Sequence, residues 1–288
     1  MGTKKKVGIV GQGFVGTALK NGFKKNFDIE TYDKYVKERS TCESLEELCS
    51  RAKIIFVCLP TPMRPDGSCD LSIVDDTIKK IDDCNKDNVA VIKSTIPPGT
   101  TENYNKRCKN IQVVFNPEFL TERFATQDFL NTNRIIIGGP RPGSTIVKQF
   151  YAKTFPSVPI VKTGSNTAEM VKYTVNTFLA AKVAYANELY QICSKFNVDY
   201  DKVIEYSKYD KRLGDSHWNV PGHDGHFGFG GSCFPKDLNC LINVAKLKGI
   251  NPVILESIWE KNLEVRPEKD WEQLEGRAVS KGEKNETK

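Results

Sequence analysis

The sequence predicts an α/β protein in which a doubly wound parallel sheet is followed by a helical region with one long core helix. Two observations support this prediction. Short apolar runs alternate with segments of helical period through the first half of the chain, a pattern typical of parallel strands joined by crossover helices. From about Asn166, a stretch of about 29 residues contains neither glycine nor proline, which is far longer than an average helix and indicates one continuous helix.

Six short apolar runs are predicted to form the strands, and they lie at 7–10, 28–32, 54–59, 89–93, 112–115 and 134–138. Apolar residues recur at helical spacing between them, which predicts helices at 14–24, 71–81 and 101–108. Shorter helices are predicted after the long one, at 200–207, 235–248 and 252–263. This order divides the chain into a sheet domain (1–165), a helical central domain (166–265) and a charged tail (266–288) that is expected to fray.

The bulk composition argues against several classes of protein. The net charge of +6 is spread over 288 residues without a long basic block, so nucleic acid is not expected as a partner. No apolar run approaches the ~18 residues that a membrane span needs, and no signal peptide opens the chain. Nine cysteines without a CxxC pair do not predict a disulfide framework. We therefore expect a cytoplasmic protein that binds no membrane.

A glycine-rich turn follows the first predicted strand. The segment VGIVGQGFVG places Gly11, Gly13 and Gly16 as G-x-G-x-x-G at the start of the first helix, the fingerprint of a Rossmann-like dinucleotide-binding domain. Gly11 permits a tight turn, Gly13 the approach of a pyrophosphate, and Gly16 close packing of helix on sheet. Asp33 ends the second strand, and an acid there binds a ribose 2′-hydroxyl and repels a 2′-phosphate. The prediction is NAD rather than NADP, although Lys34 opposes it; a purely structural glycine turn is the alternative.

Polar residues recur where the later strands end. Thr61 and Pro62 follow the third strand in CLPTP, and Thr95 follows the fourth in KSTIPPGT. Glu118 and Glu122 follow the fifth strand in NPEFLTE. Singly, each polar residue is more often a helix cap or a solvated side chain. Their recurrence at the carboxyl edge of a doubly wound sheet, where ligands bind, favours a functional interpretation.

One cysteine lies in a setting that suits a nucleophile. Cys233 stands in GFGGSCFPKD, a glycine-rich turn that leads directly into a helix. A thiol at a helix N-terminus beside Lys236 lies in positive potential, which favours the thiolate. The glycines would let the backbone of another molecule approach closely. Asp237, four residues on, either caps the helix electrostatically or acts as a base through water.

Two polar residues share one face of the long helix. Lys172 and Asn176 are four residues apart among apolar neighbours. The lysine either extends to the surface or, with the amide, points into a cleft where the pair would stabilise an oxyanion.

Three histidines and an acid fall together in one glycine-rich loop, which raises the question of a metal site. His217, His223, His226 and Asp224 match no common zinc spacing. The loop is therefore predicted to be solvated, and no metal is expected.

Taken together, the motifs resemble those of the UDP-glucose/GDP-mannose dehydrogenase family. GQGFVG, PTP, KSTIPPGT, NPEFLTE, AEMVKYTVNTFLA, KRLG and GFGGSCFPKD occur in the family's order and cover nearly all of residues 7 to 250. The resemblance implies a two-step, four-electron oxidation of the C6 alcohol of a nucleotide sugar, with UDP-glucose expected, to a carboxylate. Two NAD+ would be used in succession. It also implies a homodimer built on the long helix.

The resemblance assigns roles to particular residues. Cys233 would attack the C6 aldehyde to give a thiohemiacetal, and a second hydride loss would give a thioester that water hydrolyses. Lys172 and Asn176 would hold the C6 oxygen, Thr95 and Asp237 would activate water, and Glu118 would join the proton network. The expected cofactor contacts are Gly11, Gly13, Phe14, Val15, Gly16, Asp33, Lys34, Thr61, Pro62, Thr95, Glu122 and Lys236. The expected substrate contacts are Glu118, Phe119, Leu120, Thr121, Lys172, Asn176, Phe229, Gly230 and, across the dimer, Arg212.

The sequence departs from the family pattern in two places. Members usually continue for roughly another hundred residues as a second Rossmann-like domain, a typical domain's length, and we expect that domain to be absent. The loop from Arg212 to Cys233 carries SHWNVPGHDGHF, which is several residues longer than usual. Three alternatives therefore stay open: the dehydrogenase of another nucleotide sugar (GDP-mannose or a UDP-N-acetylhexosamine), a two-electron β-hydroxyacid dehydrogenase, and a nucleotide-binding module without catalysis.

Overall fold

The computed structural model describes residues 5–281, and the chain divides into two compact units. The first comprises the chain up to Thr61 together with Leu71–Lys172, and the second comprises Pro62–Asp70 and the chain from Tyr173 onward. The division therefore falls seven residues after the predicted boundary at 165, inside the long helix. A short segment, 62–70, leaves the first unit and belongs to the second.

The first unit is built on a seven-stranded sheet with the strand order β2-β1-β3-β4-β5-β6-β7. Its strands are β1 (Lys6–Val10), β2 (Asp28–Tyr32), β3 (Ile54–Val57), β4 (Val89–Ile92), β5 (Gln112–Phe115), β6 (Ile135–Gly138) and β7 (Ile160–Thr163). The helices between them are α1 (Phe14–Phe23), α2 (Leu45–Arg51), α3 (Ser72–Asp83), α4 (Thr100–Arg107), α5 (Ala125–Leu130) and α6 (Gly143–Thr154). The predicted α/β architecture, with its Rossmann-like sheet, is confirmed.

The sheet differs from the prediction at its far edge. β6 runs antiparallel to β5, and the two strands share a single residue pair, Phe115 with Gly138. The other neighbouring strands are parallel. β7 was not predicted, because only its first residue pair is apolar and its side chains are at most half-buried. A strand's own pattern does not encode its direction, so the prediction of a wholly parallel sheet is wrong at β6.

Apolar side chains cover both faces of this sheet. β1, β3 and β4 are buried along nearly their whole length, as expected for strands between two helical layers. An aromatic cluster fills one face, where the Phe23 ring lies 4.7 Å from Phe150 and 5.4 Å from Phe56, centroid to centroid. This packing fixes the carboxyl ends of the strands, where the predicted site residues lie.

The second unit is helical, as predicted. Its helices are the later part of α7 (Ser165–Lys195), α8 (Tyr200–Ser207), α9 (Phe234–Leu247) and α10 (Val253–Val265). The absence of glycine and proline gives α7 the continuous 31-residue helix that the sequence predicts. α8 begins where the Asp199 carboxylate accepts hydrogen bonds from the Asp201 and Lys202 amides. α9 begins at the proline-containing turn after Cys233.

The segment after α10 corrects the prediction of a frayed tail. Residues 266–281 contain a 3-10 helix, Asp270–Gln273, in which Trp271 is 1% exposed. Met63 exchanges backbone hydrogen bonds with this segment, accepting from Ser280 and donating to the Ala278 carbonyl at 2.8 Å each. The charged composition predicted fraying, but one buried indole and these backbone bonds order the segment. The rest of the predicted tail, 282–288, lies outside the described residues.

Within residues 5–281, no helix is both long enough and apolar enough to cross a lipid bilayer.

Candidate active site

The glycine turn after β1 has the geometry expected of a dinucleotide-binding loop. Gly11 has φ +87°, a left-handed conformation that favours glycine. A Cβ atom on Gly16 would overlap the Gly11 carbonyl oxygen, so only glycine lets α1 pack this close. A Cβ atom on Gly13, in contrast, would meet no atom of the described residues within 4 Å. Phe14 and Val15 follow in the first turn of α1. The turn therefore leaves open space above Gly13, at the positive end of the helix.

Asp33 closes this loop at the end of β2. Its carboxylate accepts hydrogen bonds from the backbone amides of Gln12 (2.7 Å), Tyr35 (2.9 Å) and Val36 (3.0 Å). Burial alone would raise the pKa of Asp33, but these donors and Arg39 hold it below its usual value. Asp33 therefore remains an anion beside the turn. Lys34 is exposed, and its ammonium lies over the Tyr35 ring at 5.7 Å from the centroid.

The ends of β3 and β4 lie side by side. The Thr61 hydroxyl donates to the Thr95 carbonyl at 2.8 Å, and both side chains are buried. The Ser94 hydroxyl accepts from the Leu59 amide at 3.0 Å. Two predicted site residues, Thr61 and Thr95, are thus brought into contact. Pro62 belongs to the second unit.

Glu118 and Lys172 form a buried ion pair in the first unit. The Lys172 ammonium lies 2.9 Å from Glu118 Oε1 and donates to the Glu118 carbonyl at 2.7 Å. The side chains are 9% and 4% exposed. Burial alone would raise the pKa of Glu118, but Lys172, the Leu120 amide and Lys93 hold it below its usual value. Two residues far apart in sequence, both predicted as catalytic, therefore meet as a desolvated acid and base.

Lys93 is a second buried lysine, which the sequence analysis missed. Its ammonium donates to Asn116 Oδ1 at 2.9 Å and to the Pro117 carbonyl at 3.3 Å. Burial lowers the pKa of Lys93 to about 8. The hydroxyl of Tyr151 also donates to Asn116 Oδ1, at 2.5 Å. Lys93 therefore fixes the backbone just before Glu118. Lys93 is the first residue of the motif KSTIPPGT, but a lysine at the end of a strand is usually predicted to be solvent-exposed.

A pocket of about 320 Å³ opens beside these residues in the first unit. Four predicted substrate contacts line it, namely Glu118, Phe119, Leu120 and Thr121. Arg134, which was not predicted, lies over the Phe119 ring at 4.3 Å from the centroid. Glu122 is exposed and does not line the pocket.

In the second unit, Cys233 is the N-cap residue of α9. Its carbonyl accepts the Asp237 amide at 3.0 Å. The Asp237 carboxylate accepts from the Asn176 amide group at 2.6 Å and pairs with Lys236. Burial alone would lower the pKa of Lys236, but the negative charges of Asp237 and Cys233 raise it above its usual value. The cysteine thus lies at a helix N-terminus within the field of a buried ammonium, as the sequence predicts.

The remaining predicted substrate residues lie on the loop between α8 and α9. Phe229 is buried at 5% exposure, with its ring against Phe234. Gly230 is half-buried, and Arg212 is exposed and pairs with Asp210. Residues 223–227 of the loop are exposed, and Trp218 and Val220 anchor it in an apolar cluster. Among residues 5–281, no cluster of three or more His, Cys, Asp or Glu has the arrangement of a metal site.

Comparisons with known proteins decide the family. Residues 29–155 match the NAD binding domain, and residues 166–264 the central domain, of the UDP-glucose/GDP-mannose dehydrogenase family. The UDP-glucose 6-dehydrogenase AglM of Haloferax volcanii is 31% identical over 302 residues, covering 88% of this chain and 68% of that protein. The chain belongs to the UDP-glucose/GDP-mannose dehydrogenase family. Its first unit carries the family's NAD binding domain.

Two further relatives of this dehydrogenase family define the extent of the match. A UDP-glucose 6-dehydrogenase of Rickettsia bellii is 36% identical over 245 residues, which cover 81% of this chain and 55% of that protein. The solved UDP-glucose dehydrogenase of Pyrobaculum islandicum is 29% identical with a TM-score of 0.83, covering 91% of this chain and 68% of that one. The chain thus spans between about half and two thirds of the length of these relatives.

Proposed function

We propose that the chain is an NAD-dependent nucleotide-sugar 6-dehydrogenase that oxidises UDP-glucose to UDP-glucuronate. The observation that carries this proposal is the setting of Cys233, at the N-cap of α9 beside Lys236 and the Asp237–Asn176 pair. A two-electron dehydrogenase needs no nucleophilic thiol. Oxidation of an aldehyde through a covalent intermediate does need one.

The first unit fits NAD on structural grounds. The open space above Gly13, the left-handed Gly11 and the anionic Asp33 form the cradle that a pyrophosphate and an adenosine ribose require. NAD bound there supplies the acceptor for each hydride. Gly11, Gly13 and Gly16 would hold its pyrophosphate end, and Asp33 would accept a hydrogen bond from its ribose. Thr61, Thr95, Glu122, Lys34 and Lys236 keep their predicted cofactor roles as part of this proposal.

The chemistry assigned to the chain's own groups is a two-stage oxidation at C6. Loss of a hydride and the hydroxyl proton from the alcohol gives the aldehyde. The Cys233 thiolate then adds to the carbonyl carbon, and the thiohemiacetal oxygen carries the negative charge. Lys172 and Asn176 are assigned to that oxygen, because an ammonium and an amide donor stabilise an oxyanion. Loss of a second hydride leaves a thioester, which water cleaves to the carboxylate and the free thiol.

Two acidic residues are assigned to proton transfer. Glu118, held as a buried carboxylate by Lys172, accepts protons released around C6. Asp237 and Thr95 are assigned to the water that cleaves the thioester.

The pocket of the first unit is assigned to the substrate. Its lining combines the Phe119 ring with the hydroxyls of Thr121 and Thr132, and such a mixed surface suits a sugar. Phe229 and Gly230 keep their predicted substrate roles in the proposal. Arg212, which is exposed, is assigned to the substrate of a neighbouring subunit.

The homodimer is also a proposal, supported by an apolar stripe on α7. Phe178, Tyr185 and Ile192 are 65%, 59% and 47% exposed. They are spaced seven residues apart and therefore share one face of the helix. The substitution Tyr185→Asp is expected to shift the molar mass in light scattering from dimer to monomer, whereas a monomeric wild-type chain would contradict the proposal.

A cytoplasmic location is also proposed. All nine cysteines lie in the described residues and none is in a disulfide, which supports that location.

The test is a stoichiometric assay of the purified chain with NAD+ and UDP-glucose, GDP-mannose or a UDP-N-acetylhexosamine. We expect two NADH per UDP-glucose and a carboxylate product. One NADH per sugar would favour a two-electron reaction, and turnover of another sugar alone would change the substrate.

The Cys233→Ser variant tests the covalent step. It is expected to form no carboxylate while it still binds NAD. Cys108→Ser is the matched control, because burial raises the pKa of the Cys108 thiol to about 11 and so keeps it unreactive. Full turnover by Cys233→Ser would exclude the covalent mechanism.

A further inference from the structure

The segment that follows α10 lies beyond the residues that match the family, and it packs against the rest of the second unit. The match ends at residue 264, and the next residues place Arg266 and Trp271 at 2% and 1% exposure. Arg266 follows α10 directly, and Asp270 opens the 3-10 helix. Both residues face the loop that leads to Cys233.

Arg266 is a buried cation whose guanidinium donates hydrogen bonds to this region. Its guanidinium donates to Asp270 Oδ1 at 2.7 Å, to Asp224 Oδ2 at 2.9 Å and to the Phe227 carbonyl at 3.3 Å. A buried guanidinium is tolerated only when it is paired and hydrogen-bonded in this way. One side chain therefore ties the loop at Asp224 and Phe227 to the segment at Asp270.

Asp270 continues the connection toward the nucleophile. Its second oxygen, Oδ2, accepts the Gly231 backbone amide at 3.3 Å. Gly231 has φ +69°, and Cys233 follows two residues later. The chain of contacts thus runs from Arg266 through Asp270 to the backbone immediately before the N-cap of α9.

The loop glycines are explained by the same contacts. A Cβ atom on Gly230 would overlap Asp270 Oδ1 and the Arg266 guanidinium. A Cβ atom on Gly228 would overlap Asn262 Oδ1. Asn262 is fully buried and brackets Phe229, accepting from its amide at 2.7 Å and donating to its carbonyl at 2.9 Å. These two glycines make room for this chain's own side chains.

We propose that Arg266 and Asp270 are positioning residues that set the backbone of the loop 228–232 and thereby hold Cys233 at the N-cap of α9. The inference rests on the proposed function only in taking Cys233 as the nucleophile. The residues act through the loop and touch no substrate. The left-handed conformation of Gly231, which favours glycine, is the element that they stabilise.

The test measures the reactivity of Cys233 directly, in the whole chain of 288 residues. Iodoacetamide alkylation is followed from pH 5 to pH 10 on the tryptic peptide 213–236, in which Cys233 is the only cysteine. Asp270→Ala removes the acceptor of both Arg266 and Gly231. It is expected to slow alkylation at neutral pH roughly tenfold, the scale of losing a charged hydrogen bond. Turnover should fall similarly, with KM for NAD unchanged.

Two variants separate positioning from general damage. Asp270→Asn keeps an acceptor oxygen and is expected to restore part of the alkylation rate. Glu272→Ala removes an exposed acid from the same 3-10 helix and is expected to leave the profile unchanged. Asp270 is 35% exposed as a side chain, so its variants are expected to fold, and thermal unfolding checks this. The variant Arg266→Met removes the guanidinium itself. If it does not fold, the positioning role is tested with the Asp270 variants alone.

An unchanged alkylation profile in folded Asp270→Ala would overturn the inference. A shifted profile in a chain that oxidises no nucleotide sugar would support the positioning role and reject the proposed function instead. The two failures are therefore distinguishable.

Discussion

Removing the ammonium of Lys172 tests how the buried ion pair contributes to the first unit. Lys172→Met keeps much of the side-chain volume but leaves the Glu118 carboxylate, 9% exposed, without its nearest cation. Breaking a buried pair by removing one partner costs about 3–5 kcal/mol, because the remaining charge is desolvated and unpaired. We expect Lys172→Met to lose stability in this range at pH 7.

The double variant Lys172→Met, Glu118→Gln should recover much of that loss. A glutamine oxygen can still accept the Leu120 amide, which now donates to Glu118 Oε2 at 2.7 Å. It leaves no charge at position 118 or 172, and replacing a whole buried pair is often close to neutral. Lys80→Met is the matched control, because it breaks an exposed pair with Asp76, in which the side chains are 50% and 56% exposed. Such exposed surface pairs contribute little to stability, because solvent screens them.

The pH dependence has a definite sign. In the wild type the pKa of Glu118 is held below its usual value, so the pair stabilises the fold above the unfolded pKa of ~4.3. That contribution is lost as the pH falls through the folded pKa. In Lys172→Met burial dominates, so the pKa of Glu118 should rise above its usual value and the native state should bind the extra proton. The deficit of the variant should therefore be largest at neutral pH and should shrink on acidification.

Urea unfolding followed by circular dichroism at pH 7 and pH 5 measures these differences. A loss in Lys172→Met no larger than in Lys80→Met would refute the argument that the pair is desolvated. A deficit that stays constant or grows between pH 7 and pH 5 would refute the assigned charge state of Glu118.

Three other substitutions test separate parts of the structure. Gly13→Ala is expected to fold normally but to bind NAD roughly tenfold or more weakly in calorimetry, because the new methyl group enters the open space above the turn. The control variant, Gly16→Ala, should lose thermal stability instead. Unaltered NAD binding by Gly13→Ala would place the cofactor elsewhere. Asp33→Asn keeps an acceptor for the Gln12 amide but loses the charge, so NAD affinity should fall roughly tenfold, and an unchanged affinity would contradict the ribose contact. Trp271→Ala should cost about 3–5 kcal/mol in urea unfolding, and no loss would show that 266–281 is dispensable.

The strands and long helices could be predicted because their patterns are local. Every predicted strand and helix is present to within a few residues, and α7 follows from a run without glycine or proline. The unpredicted elements have weak local signals: α2 and α5 are only 7 and 6 residues long, and α6 begins at Gly143 after a proline. β7 lacks a buried run. Their stability comes from packing on the sheet, which a local pattern does not record.

The segment 266–281 shows that composition gives a wrong prediction when a single buried side chain determines whether a segment is ordered. Most of 266–281 is polar, which predicts fraying. A single indole, Trp271, packs against Trp259 at 5.2 Å between centroids, with the ring planes tilted by 52°, and holds the segment in the second unit. The partner of a lone aromatic residue cannot be read from its neighbours in sequence.

The candidate site divides along the same line. Gly11, Gly16 and the cysteine at the start of α9 could be predicted, because their geometry depends on a strand–turn–helix or turn–helix segment that is contiguous in sequence. Lys93 and Arg266 could not, because their roles depend on acceptors brought close only by the fold. Arg266 binds Asp224, 42 residues away, and Lys93 binds Asn116, 23 residues away.

The glycines before Cys233 also have a role that depends on residues distant in sequence. From the sequence, a glycine-rich turn beside a nucleophile indicates space for another molecule. At Gly228 and Gly230 that space is filled by Asn262, Arg266 and Asp270 of the same chain. A glycine records only that some atom comes close, and whether that atom belongs to a ligand or to the chain depends on distant residues. The pattern therefore predicts the place of the site, and the fold alone determines which of its parts face a substrate.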